Sequence, residues 1–164
     1  MAFDEDIPDT INYMFVDGEY IAKRLGLDIP PIQLPHCGRL SNDQYFLATS
    51  LDQNQYRLFL TQLDYIAFLL NHYFSKKNIE HDPYIRLHLQ NYKGVAMENL
   101  RNFPWLAQIS FQPDEMIHAI NAKLPHLKTF KNESNVTFVS RKEELLDIIG
   151  TPEDSLAQKL YLNP

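Results

Sequence analysis

The sequence predicts a mainly α fold, α+β at most: a single-domain helical bundle around a central helix over residues 50–77, with a small β-hairpin near 127–139. Three observations carry this. The stretch Ser50 to Lys77 is the longest run with helical periodicity and contains no Gly or Pro. Ten prolines against five glycines point to stiff connections between elements rather than flexible linkers. The only convincing strand pattern is Asn135 to Val139, NVTFV.

The elements follow in order. Residues 1–8 read as an acidic tail. Asp9 is placed to cap a helix from Thr10 to Leu25, with Ile11, Met14, Phe15, Ile21, Ala22 and Leu25 at helical spacing. Gly18 falls on that face, and Gly26 is placed as the C-terminal cap. Leu27 to Leu40 is held extended by Pro30, Pro31 and Pro35. Ser41 is placed to cap a short helix over 42–49.

In the central stretch, Ser50 and Gln53 have capping-box form, Asp52 lies in the first turn, and Lys76 and Lys77 sit at the far end. Tyr56, Phe59, Leu60, Leu63, Ile66, Leu70, Tyr73 and Phe74 align on one wide face at 100° per residue. Asp82 and Pro83 read as N-cap and first helical residue of a helix over 83–101, with Ile85, Leu89, Tyr92 and Ala96 on one face and Gly94 as its end or kink. Gln112-Pro113-Asp114-Glu115 opens a further helix that Pro125 stops. Leu127 to Phe130 pairs with 135–139 across the KNES turn. Ser140 and Glu143 form a second capping box for a helix over 141–149, and a last helix runs from Thr151 to Tyr161.

Composition narrows the function. A 45% hydrophobic content with 12% aromatics is that of a folded chain. One cysteine, Cys37, excludes an intramolecular disulfide or a cysteine-based zinc site within the chain and fits a cytoplasmic setting. The longest apolar run, Tyr65 to Leu70, is far short of the ~20 residues a spanning helix needs, so the chain is expected to be soluble, with no membrane partner. Net charge is −6, all of it in residues 1–82, and no Lys/Arg cluster exceeds two residues. That balance argues against nucleic acid, and it suits simple solubility as well as a basic protein partner.

Candidate sites are few. On the central helix, Phe68 falls within the polar stripe of Arg57, Thr61, Asp64, Asn71 and Ser75, flanked by Tyr65 and His72. Such an aromatic is either covered by another element or presented to a partner. Trp105, beside Pro104, is either a core plug or an anchor for a partner. Tyr65, Phe68, His72, Asp64 and Trp105 are therefore the candidate partner-binding residues.

The rival reading is a small metal-dependent hydrolase built on His81 and Asp82, with His36 and Asp114 or Asp147 completing the ligand set. Against it, Asp82 before Pro83 reads as a helix cap. Cys37 next to His36 lacks the surroundings of a nucleophile. His88 reads as a core-edge histidine, and His118 and His126 share no helical face. Phosphate-loop, dinucleotide, nucleophile-elbow and zinc-protease motifs are absent. No catalytic residue, metal site or cofactor is assigned. The reading is a non-catalytic protein-binding module of the adaptor, secretion-chaperone, inhibitor or immunity type, acting on another protein or on a second copy as a homodimer.

Overall fold

In a computed structural model, which describes residues 7–30, 33–49, 54–109 and 111–149, the architecture is α+β rather than a helical bundle. Two antiparallel sheets hold seven strands among the described residues. The expected helix over 151–161, the Ser50–Gln53 capping box and most of the acidic tail lie outside these residues.

The first sheet has the order β1 (Met14–Asp17), β4 (Gln55–Phe59), β3 (Tyr45–Ala48), β2 (Cys37–Arg39). Three helical expectations are corrected here. The helix expected from Thr10 is β1 followed by α1 (Gly18–Leu25), and the cap is Asp17, whose carboxylate accepts from the Tyr20 N–H. The helix expected over 42–49 is a single tight turn at Ser41–Asp43 and then β3. Within the helix expected over 50–77, Gln55–Phe59 is instead the strand β4.

The physical reason is shared by the second and third. β3 and β4 are covered on both faces, so their side chains do not alternate in polarity and their apolar spacing mimics a helix. Phe46, Ala48, Tyr56 and Leu58 pack with Ile21 and Ala22 of α1 on one face. Tyr45, Leu47 and Phe59 join the main core on the other. At the end of α1, Gly26 (φ 71°) closes the helix as expected.

The central helix is real but shorter. α2 (Gln62–Tyr73) starts at Thr61, whose hydroxyl oxygen accepts from the Asp64 N–H. Every residue from Asp64 to Tyr73 is buried, because α2 lies between the first sheet and α6 (Pro113–Lys123). Its former tail is the separate α3 (Lys76–His81), capped by Ser75.

Asp82 caps α4 (Pro83–Tyr92), its Oδ1 accepting from the Ile85 N–H at 3.1 Å. This helix is nine residues shorter than the 83–101 expected. It ends at Lys93 (φ 62°), and the chain passes into β5 (Val95–Ala96) and α5 (Met97–Leu100). Tyr92, expected on the buried face, is 55% exposed. Gly94 is required by close approach: a Cβ there would stand 2.9 Å from the Val139 carbonyl oxygen and 3.0 Å from the Phe130 ring. Gly94→Ala should cost about 1–3 kcal/mol in a urea melt, because a main-chain oxygen cannot rotate away. A neutral result would refute this packing.

α6 opens at Gln112–Glu115 as expected, and the structure adds a capping box there that the sequence reading did not include. The hairpin forms as β6 (Leu127–Lys131) against β7 (Thr137–Arg141), and with β5 it makes a second sheet of order β5-β7-β6. β7 takes Ser140 and Arg141, so the Ser140/Glu143 box does not form and the final described helix, α7, is only Leu146–Ile149. Among the described residues, no helix is long and apolar enough to cross a membrane.

Candidate functional site

The candidate partner-binding residues separate into two groups. Phe68 is 1% exposed, so the structure takes the covered alternative at that position. Its ring meets Tyr13 at 5.7 Å and Phe59 at 5.3 Å, and the Arg57 guanidinium lies 4.9 Å from its centroid. Asp64 is buried too. It accepts from the Asn12 N–H and the Thr61 hydroxyl and pairs with Lys123 at 3.3 Å. Both hold α2 in place and neither faces solvent. The polar stripe fails as a surface because Arg57 belongs to β4 and the far side of α2 is roofed by α6 and the 7–13 segment.

Tyr65, His72 and Trp105 do converge. α2 ends against the turns over 101–109, where Leu106 is fully buried and the Phe103 carbonyl accepts from the Ala107 N–H at 2.8 Å. The Tyr65 hydroxyl donates to the Trp105 carbonyl at 3.0 Å and so ties that turn to α2 from below. Leu106 is thus the core plug, which leaves Trp105 half-buried at the rim of a cleft of about 500 Å³.

The cleft is aromatic. Tyr73 and His72 at the end of α2 form its floor, Tyr84 of α4 one wall, and Phe103, Pro104 and Trp105 the other. Phe103 packs edge-on to Tyr73 (4.8 Å) and to Tyr84 (5.7 Å), while Tyr73 and Trp105 lie nearly parallel, 6.4 Å apart. Outside the cleft, Tyr84, His88 and Tyr92 recur at i, i+4 and i+8 along α4, with centroids 4.3 and 5.6 Å apart. Tyr84 and Tyr92 are 44% and 55% exposed, so the aromatic surface runs from the cleft along the helix.

The electrostatics are one-sided. Asp82 is the carboxylate among the described lining residues, and no Lys or Arg stands with it there. Burial, and to a lesser degree the Asp82 charge, pushes the Tyr73 and Tyr84 hydroxyls up, so both phenols stay neutral at physiological pH. Burial lowers the His88 pKa, which keeps that ring uncharged as well.

The hydrolase residues do not assemble. Asp82 is occupied as a helix cap, His81 and His36 are exposed, and no group of three or more His, Cys, Asp or Glu is placed to hold a metal among the described residues. Cys37 is buried, and desolvation raises its pKa, the reverse of what a nucleophile needs.

Sequence reasoning missed Tyr73, Tyr84 and Phe103. The cluster Phe103-Pro104-Trp105 was a signal, but its partners lie about 20 and 30 residues upstream on two different helices. Comparison of the chain with protein-family models, with curated proteins and with solved structures finds no match.

Proposed function

We propose that the protein is a non-catalytic binding module that captures a segment of a basic partner protein in the aromatic cleft. The observation that supports this is the composition of the lining: four aromatic rings and a histidine around one carboxylate, with no cation. Ring faces and a carboxylate together favour a Lys or Arg side chain, each ring contributing about 0.5–1 kcal/mol at a half-open site. The exposed Tyr84–His88–Tyr92 face lengthens the contact for the flanking residues of the partner. A phosphate backbone would find no counter-charge among the described residues of this lining, which favours a basic protein segment over nucleic acid. The setting is cytoplasmic, in keeping with a buried thiol that has no disulfide partner in the chain.

Trp105 is the one tryptophan in the chain, so intrinsic fluorescence reads the cleft directly. An array of Arg- or Lys-centred peptides should yield binders that change this emission. Tyr84→Ser, at an exposed position, should weaken them about two- to fivefold with the melting temperature unchanged. Binding no better than that of Glu-centred counterparts would overturn the reading. Light scattering tests the homodimer: self-association lost in Tyr84→Ser would put a second copy in the cleft instead.

A further inference from the structure

A second cleft, on the opposite side of α4, has a different chemistry. It holds about 300 Å³ between α4, the β6–β7 hairpin and α7. Gln90 lines it at 6% exposure, and neither its Nε2 nor its Oε1 has a hydrogen-bond partner. Folded proteins rarely leave a buried carboxamide in that condition, because the lost hydration is not replaced. Beside it, the Arg141 guanidinium is fixed by donation to the Phe74 carbonyl (2.7 Å) and by contact with Glu143 (3.6 Å), while its buried Nε makes no hydrogen bond. Lys93 and Lys128 stand at the rim with no ion pair among the described residues.

We propose that this cleft binds a small oxyanion, a carboxylate or a phosphate monoester, that carries an N–H or O–H donor next to the charged group. The two unpaired donors, Gln90 Nε2 and Arg141 Nε, require acceptor oxygens, and Gln90 Oε1 requires one donor from the same ligand. Lys93 and Lys128 supply positive charge at the mouth. The two carboxylates in the lining do not reverse this. Glu143 is shared between Arg141 and Lys76, which leaves Glu144 against the two rim lysines. Burial, and then the Arg141 and Lys142 charges, lower the His126 pKa, the direction a positive surrounding gives. The volume lies at the small end of ligand pockets and suits a metabolite rather than a chain. This site is separate from the aromatic cleft and does not depend on the function assigned to it.

The test follows the Gln90 side-chain amide by ¹⁵N-correlated NMR during titration with lactate and with glycerol 2-phosphate, against the neutral controls lactamide and glycerol. One of the two anions should shift the Gln90 resonances and raise the melting temperature, and the arm that does so names the class. Gln90→Leu keeps the volume and removes both unpaired groups, so it should fold at least as well and lose the melting shift. The Lys93→Ser/Lys128→Ser double variant, altered only at exposed positions, should weaken binding about tenfold or more. Silence in both anion arms, equal response to the neutral controls, or unchanged affinity in both variants would overturn the proposal and leave water as the occupant.

Discussion

Phe68→Ala should lower stability by about 3–5 kcal/mol. The ring is buried at the junction of the first sheet, α2 and the segment leading into β1, where it touches Tyr13 and Phe59. It is also one of three rings around a buried cation. The Arg57 guanidinium lies 5.2 Å from Tyr13, 5.4 Å from Phe15 and 4.9 Å from Phe68. Truncation therefore leaves a cavity and withdraws part of the environment that makes a buried charge tolerable. Chemical denaturation followed by circular dichroism measures the loss. A change within about 0.5 kcal/mol, as at a surface position, would place Phe68 in solvent and return the α2 stripe as a binding face.

Asp64→Ala should cost a similar amount, about 3–5 kcal/mol, for a different reason. Its carboxylate joins three elements: it accepts from the Asn12 N–H before β1, accepts from the Thr61 hydroxyl at the α2 cap, and pairs with Lys123 at the end of α6. Lys123 is itself largely buried, so removing Asp64 strands an ammonium in a poorly hydrated place. The same substitution made in a Lys123→Met background should cost clearly less, because no stranded charge remains. Equal costs in the two backgrounds would mean that the pair contributes nothing and that only the hydrogen bonds matter.

The parts of the fold legible in the sequence are those with a local chemical signature. Asp82-Pro83 starts α4, Gln112-Pro113-Asp114-Glu115 starts α6, Gly26 ends α1, and the KNES turn joins β6 to β7. Each signature is a hydrogen-bonding or φ requirement met within four residues. The first sheet has none. Met14 to Val16, Tyr45 to Ala48 and Gln55 to Phe59 are strands because they pair with one another, and the pairing partners lie up to 44 residues apart. Two-sided burial then removes the polar–apolar alternation that would have marked β3 and β4. The candidate site divides in the same way. Trp105 and His72 stood out as anomalies, whereas Tyr73 looked like ordinary core and Tyr84 like an ordinary helix residue until the fold brought them together.

β3 and β4 each distribute their side chains between two cores, and this fixes the length of the chain through them. In β4, Tyr56 and Leu58 serve the α1 side, while Arg57 and Phe59 serve the α2 side. Deleting one residue within the strand would exchange every later side chain between the two sides. The Arg57 cation would leave the rings of Tyr13, Phe15 and Phe68 for the compartment of Ile21, Ala22 and Leu34. Changes of length are therefore tolerable in the exposed turns at 41–43 and 132–135 and excluded from the strands, so this stretch of sequence can drift in composition but not in count.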